Sequence, residues 1–317
     1  MGSALDQEVF GPVAADLAAF EARIRDSISA DGAPLATAMG DLFSAGGKRL
    51  RPALVLLAGR LGRLTEGHVH AAMAVELTHA ATLVHDDVID RSPIRRGRPT
   101  VAASLGDAPA ILVADYYFAK AYQEAARSDD PAVVGAIASA VMTICRGELA
   151  QDRARYDYRP SLDDYRARIE AKTAALLAAS VWVGGRLAGL SEGSQESLRN
   201  YGLELGLAFQ IADDVLDYTS ESGELGKPVG HDLLEGHATL PLLLAGLPAE
   251  LPSGQPLTAA RVAEVVAEVR ASKGPERALE EARRHAEAAG GLLVGVPEGP
   301  ARESLAALTH YVVERRL

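Results

Sequence analysis

The sequence predicts an all-α helical bundle. Three observations lead there. Alanine and leucine, both strong helix formers, are abundant. Aromatic residues make up only 5% of the 317-residue chain. Apolar positions recur at threes and fours over long stretches, with no convincing strand alternation and no Asn-Gly or Asp-Gly hairpin signal.

In order along the chain, Val69–Asp90 carries apolar residues at Met73, Leu77, Ala80, Ala81, Val84 and Val88, one face of a helix. Pro99–Arg127, Pro131–Tyr158, Ser161–Leu190 and Ser194–Tyr218 read the same way. Breakers separate them: Pro93 and Gly97, Asp130-Pro131, Pro160-Ser161, and Ser191 to Gly193. Asp130-Pro131 and Pro160-Ser161 are helix starts, with Pro in the first turn or a capping hydroxyl. After Gly223 the pattern loosens into a loop rich in Gly, Lys and Asp. Shorter helices are expected at Leu240–Ala245, Thr258–Ser272, Pro275–Ala289 and Pro300–Val313. No repeat or long linker interrupts the chain, so residues 1–317 read as a single domain around a central apolar cavity.

Composition narrows the function. Hydrophobic residues are 48% and charged residues 24%, which excludes disorder as the main state. The net charge of −11 excludes a general nucleic-acid binder, which needs a basic footprint. Cys145 is the single cysteine, so neither an intramolecular disulfide nor a Cys-rich zinc site can form. No run of eighteen apolar residues occurs, and no basic-then-apolar leader precedes Asp6 and Glu8, so a cytoplasmic protein without stable membrane insertion is expected.

The strongest chemical signal is a pair of D-D-x-x-D motifs, Asp86-Asp87-Val88-Ile89-Asp90 and Asp213-Asp214-Val215-Leu216-Asp217. On a helix, Asp86 shares a face with Asp90, and Asp213 with Asp217. Both motifs fall near expected helix C-termini, where carboxylates meet the negative end of the dipole and repel one another. Bound cations offset such costs, and hard carboxylate oxygens suit Mg²⁺ held jointly with substrate phosphates. A solvated acidic face is the bland alternative. Two copies on apolar helices, accompanied by basic clusters, weigh against it.

Those clusters are Lys48-Arg49-Leu50-Arg51-Pro52, after Gly46-Gly47, and Arg95-Arg96-Gly97-Arg98, just past Asp90. Arg offers phosphate oxygens a planar fork and Lys a point charge. The first is not a Walker A loop, since Leu42 and Arg49 occupy positions that would be Gly and Ser or Thr. Lys172-Thr173 and Lys227 are further candidates that spacing alone would not select. His79 lies two turns before Asp86 on the same face and suits a hydrogen bond to phosphate better than a metal. Two acidic helix ends, two basic clusters and small apolar residues between them suit a phosphorylated substrate with an apolar tail.

Together these residues resemble the trans-isoprenyl diphosphate synthases, or polyprenyl synthetases, from about Gly46 to Pro241 and more weakly to the C-terminus. Gly46–Pro52 is similar to the GGKRxRP motif, and His79–Asp90 to the first aspartate-rich motif, followed by Arg95-Arg96-Gly97. Gly147-Glu148-Leu149-Ala150-Gln151 resembles GExxQ, Lys172-Thr173 the KT pair, and Phe209–Asp217 the second aspartate-rich motif. Gly226-Lys227, Gly230, Asp232-Leu233 and Glu235-Gly236 fall in the loop that follows it.

The resemblance implies a helical isoprenoid-synthase fold, a homodimer, and head-to-tail condensation of an allylic prenyl diphosphate with isopentenyl diphosphate. It implies that Asp86, Asp90 and Asp213 hold Mg²⁺, with Asp87, Asp214 and Asp217 as further ligands or support. Arg95, Lys172 and Lys227 would contact the allylic diphosphate, and Lys48, Arg51, His79 and Arg96 the isopentenyl diphosphate. The oxygens of Thr173 and Gln210 would stabilise the allylic cation. The chain departs from the pattern at His237, where the family has a second lysine, which weakens the positive field there. Ala114-Asp115 also replaces Gly-Asp.

Product length in such enzymes depends on bulk just before the first motif. Ala81 and Thr82 are small, so a product longer than farnesyl is expected, geranylgeranyl or longer. Tyr116, Tyr117 and Phe118 could form a deeper floor, depending on helix rotation. Competing readings are a non-catalytic or partner-dependent subunit of a heteromeric synthase, a class I terpene cyclase, and a dimetal oxidase. Intact aspartate motifs oppose the first, a second diphosphate site the second, and the absence of a Glu-x-x-His pair on each of two helices the third.

Overall fold

A computed structural model describes residues 4–44, 49–220, 229–247 and 251–314. Its helices are α1 (Ala4–Phe10), α2 (Ala14–Ser29), α3 (Leu35–Ser44), α4 (Leu50–Arg60) and α5 (Glu66–Ile89). A hairpin of β1 (Ile94–Arg95) and β2 (Arg98–Pro99) follows, then α6 (Val101–Leu105), α7 (Asp107–Ala126) and α8 (Pro131–Arg153). Next come α9 (Leu162–Ile169), a π-helical turn at Glu170–Ala174, α10 (Ala175–Leu187) and α11 (Glu192–Thr219). The chain ends with α12 (His231–Leu234), α13 (Leu240–Ala245), α14 (Ala259–Ala271), α15 (Gly274–Leu292) and α16 (Pro300–Glu314). The expected all-α class is observed.

The differences have physical reasons. The four helices before α5 have no counterpart in the periodicity reading. From Pro52 to Gly59, α4 is buried on every side, so it has no polar face to mark its period. The expected Pro99–Arg127 helix breaks at Gly106, whose φ of 91° no helix accommodates. The hairpin turns on Arg96-Gly97, both at positive φ, as a two-residue hairpin loop requires. A single glycine there does what Asn-Gly does elsewhere. The expected Ser161–Leu190 helix holds its start, where Ser161 and Asp164 form a capping box, but contains the π turn.

The chain divides into two compact units, residues 1–141, 179–199 and 293–307, and residues 142–178, 200–292 and 308–317. In the first, α5 packs on α4 and α7. It buries Met73, Leu77, Ala80, Ala81 and Val84, the stripe read from the sequence. In the second, α11 presents Leu207, Ile211 and Val215 to Tyr165, Ile169 and Ala174, while Tyr218 joins a cluster with Leu233, Leu242 and Val265.

Glycines let the π turn sit tightly. A methyl at Gly206 would lie 2.6 Å from Ala174 Cβ, and one at Gly147 would lie 2.7 Å from Ala171 Cβ. By length and composition α8 could cross a membrane, and 28% of that apolar window is buried. The sequence reading did not single it out, because serine, threonine and glycine interrupt its apolar run.

Gly206→Ala is expected to cost about 1–3 kcal/mol, since backbone must move to admit the methyl. Gly40→Ala on α3, with nothing within 4 Å, should gain up to about 1 kcal/mol from helix propensity. Urea unfolding of both variants checks the pair.

Candidate active site

In the first unit, the first aspartate motif occupies the last turn of α5. Ser92 N donates to Asp87 O at 2.9 Å and Arg91 N to Val88 O at 3.2 Å, with Arg91 at φ 51°. This left-handed closure ends the helix directly after Asp90. Thr100 then ties the loop, donating from Oγ1 to Ser92 O and capping α6. The hairpin so held folds Arg95 back on Asp87, with Nε 2.9 Å and 3.0 Å from the two carboxylate oxygens. Asp87 is 2% exposed, whereas Asp86 and Asp90 keep part of their surface open.

A cationic cluster surrounds half-buried His79. Burial first, then Arg51, Arg96, Arg95 and Arg49, hold its imidazole well below the usual histidine range, so it is neutral at pH 7. Arg96 is itself lowered, by burial and by Arg95 and Arg49. Arg49 is engaged otherwise: it donates to Glu76 Oε1 and Phe43 O, both at 2.9 Å. Arg51 and Arg96, grouped with His79 in the sequence reading, stand close enough to act on its charge, and so does Arg95, which that reading assigned to the other diphosphate. Lys48 and Lys227 lie outside the described residues, as do Gly46, Gly47 and Gly226.

Ala81 is fully buried, and Thr82 Oγ1 donates to His79 O at 2.8 Å. On the facing α7, Tyr117 is turned to α3, its hydroxyl donating to Leu35 O, and Tyr116 donates to Asp31. Phe118 is the aromatic set against α5, its ring 5.5 Å from that of His85.

In the second unit, the second motif lies on the last turns of α11. Asp214 is 2% exposed and accepts from Tyr165 Oη at 2.6 Å and Gln210 Nε2 at 2.8 Å. Thr173, on the π turn, donates to Gln210 Oε1 at 2.6 Å. Asp217 accepts from the backbone N–H groups of His231 at 3.1 Å and Asp232 at 3.3 Å, capping α12. Asp213 is the motif's partly open member. Burial and the neighbouring Asp232 push Asp214 and Asp217 well above the usual carboxylate range.

Lys172 pairs with Glu148 at 2.8 Å. A cavity of about 90 Å³ is lined by Gln151, Arg168, Lys172, Gln210, Asp214, Asp232, Glu235, His237 and Thr239. His237 is 9% exposed, and burial beside Arg168 and Lys172 pushes it down to about 3. It is uncharged at neutral pH, as its substitution for lysine suggests. Gly236, at φ 91°, lets the loop press on Tyr156: a methyl there would overlap that ring.

Tyr165, Arg168 and Asp232 were not selected from the sequence. Arg168 donates to Ala238 O and stacks on Tyr165. Only the spacing of Tyr165 and Arg168 before Lys172 hinted at them. Glu148 was noted in a motif without a role.

This arrangement fits divalent cations. Each motif collects hard oxygen donors, with arginine or lysine side chains nearby. Replacing Arg95 by Gln should remove the guanidinium from the buried Asp87 carboxylate and cost about 3 kcal/mol. Adding Asp87→Asn should recover most of that loss in chemical denaturation.

The sequence pattern of the polyprenyl synthetase family matches residues 33–258. Heptaprenyl diphosphate synthase component 2 of Geobacillus stearothermophilus is 39% identical over 95% of this chain and 96% of its own. Octaprenyl diphosphate synthase of Escherichia coli is 36% identical over 95% and 96%. A crystal structure of polyprenyl synthase from Caulobacter crescentus, complexed with calcium and isoprenyl diphosphate, superposes with a TM-score of 0.92 at 35% identity, covering 98% of both chains. A decaprenyl diphosphate synthase from Rhodobacter capsulatus gives 0.89 at 36% identity, again covering 98% of each. Aspartate motifs, cationic clusters and full-length likeness agree: the chain belongs to the polyprenyl synthetase family and is a trans-prenyltransferase.

Proposed function

We propose that the enzyme condenses isopentenyl diphosphate head-to-tail with an allylic prenyl diphosphate and releases a trans-polyprenyl diphosphate longer than geranylgeranyl. The observation that carries this reading is the fully buried alanine at position 81, one turn before the first aspartate motif. No bulky group stands there to stop a growing tail. The heptaprenyl, octaprenyl and decaprenyl synthases among the relatives support a long product.

Each motif would hold Mg²⁺, the first through Asp86 and Asp90 and the second through Asp213, and the metal would supply charge to draw off the departing diphosphate. Asp87, Asp214 and Asp217 serve as buried support, since their oxygens already accept from Arg95, from Tyr165 and Gln210, and from the α12 backbone. Arg51, Arg96 and neutral His79 would bind isopentenyl diphosphate, together with Lys48. Arg95, Lys172 and Lys227 would take the allylic diphosphate. Thr173 and Gln210 present oxygen dipoles where positive charge develops. The chain is read as one catalytic domain, working in the cytoplasm.

A homodimer is the assembly proposed. Leu112 on α7 is 67% exposed and Ile111 42%, while Leu149 on α8 is 62% exposed, and a second copy would cover such apolar groups. Likeness to a synthase component 2 favours one alternative, a heteromeric partner. Purified protein given labelled isopentenyl diphosphate and farnesyl diphosphate separates the two. We expect elongation beyond twenty carbons that stops on chelation, from a species sedimenting as a dimer without detergent; activity restored only by a second protein would select the partner.

Ala81→Phe should shorten the product, and an unchanged distribution refutes the floor. His237→Lys should lower KM for the allylic diphosphate about threefold to tenfold, by adding one charge-assisted contact, with KM for isopentenyl diphosphate unmoved in steady-state kinetics.

A further inference from the structure

We propose that Tyr165 is a positioning residue for the reaction, setting through Asp214 the orientation in which Gln210 and Thr173 face the substrate. The proposal rests on the prenyltransferase reading and deepens it.

The geometry is a directional chain of three hydrogen bonds. Tyr165 Oη, on α9, donates to Asp214 Oδ2 at 2.6 Å. Gln210 Nε2, one turn earlier on α11, donates to Asp214 Oδ1 at 2.8 Å. Thr173 Oγ1, on the π turn, donates to Gln210 Oε1 at 2.6 Å. Both Asp214 oxygens accept, so the amide end of Gln210 is turned toward Asp214. The carbonyl end of Gln210 then faces Thr173 and takes its only proton. What remains uncommitted on Thr173 is lone pairs. At its Thr173 end the chain therefore presents oxygen, not O–H, to whatever lies beyond it. That polarity stabilises a developing cation, and a reversed amide would oppose it.

Tyr165 is the group that holds the far end. Its ring is 3% exposed, packed with Ile169, Ile211 and Val215, so its position is fixed by the core. Arg168 stacks on the same ring. Without the phenol hydroxyl, Asp214 Oδ2 loses its donor at a residue that is only 2% exposed. The carboxylate is then free to rotate about its Cβ–Cγ bond, and the Gln210 amide loses its single preferred orientation. Nothing in the arrangement requires Tyr165 to touch substrate. Its effect runs through Asp214 and Gln210, and so belongs to turnover more than to binding.

Tyr165→Phe keeps the ring and its packing and removes the hydroxyl alone. We expect kcat to fall about tenfold or more, as misorientation near reacting groups does. KM for both substrates should stay within about twofold. Adding Tyr165→Phe to Gln210→Ala should cost almost nothing further, because the group it acts through is gone. Unchanged kcat, a loss carried by KM, or losses that multiply in the double variant would each overturn the proposal. A second readout needs no substrate. The side-chain amide resonance of Gln210, assigned by its disappearance in Gln210→Glu, should shift and broaden in Tyr165→Phe. An amide unmoved by the substitution overturns the proposal, whether or not the wild type proves to elongate prenyl chains. Absence of wild-type elongation alone counts against the function reading instead.

Discussion

Burying a carboxylate without hydrogen-bond donors is prohibitively expensive, and both aspartate motifs are organised around that constraint. Each places a middle carboxylate inside the protein, where it is 2% exposed. Asp87 is met by a guanidinium folded back from a hairpin, and Asp214 by a phenol and an amide. Asp217 solves the same problem with the first backbone N–H groups of a four-residue helix. These anchors orient the helix ends on which Asp86, Asp90 and Asp213 stand. The paired motifs are therefore mixed, with some carboxylates buried and hydrogen-bonded and others partly open.

The anchors in turn explain local structures that would otherwise look irregular. The hairpin between α5 and α6 has strands of two residues each, too short to be stable alone. It is secured by Thr100 at its base and by the Arg95–Asp87 pair at its side. The π turn at Glu170–Ala174 inserts an extra residue in the turn that carries Lys172 and Thr173. Gly147 and Gly206 allow neighbouring helices to close on it. Neutral His79 and neutral His237 have one cause, burial among arginine and lysine side chains. Each can accept or donate a hydrogen bond without adding to the local positive charge.

Much of the fold was legible. The stripe from Met73 to Val84 on α5 is a periodic signal, and the structure buries it. Ser161 was legible as a helix start because capping is a local event between residues three apart. The stripe of Phe20, Ile24 and Ile28 on α2 is present in the sequence but passed unread, whereas α4 offers no stripe at all. The π turn is invisible to periodicity, since one inserted residue hardly disturbs the apolar pattern over a long window.

What the sequence by itself determined is the set of chemical groups and their local spacing: two acidic helix ends, arginine clusters, a lysine-threonine pair and a small residue before the first motif. These follow from side-chain identity and the helical repeat, which depend on near neighbours. Which carboxylates are anchors and which face outward was decided only in the tertiary structure. Tyr165 and Asp214 are 49 residues apart, and Asp217 and Asp232 are 15 apart. Contacts at such separations depend on how packed helices are placed, and that placement comes from the whole core.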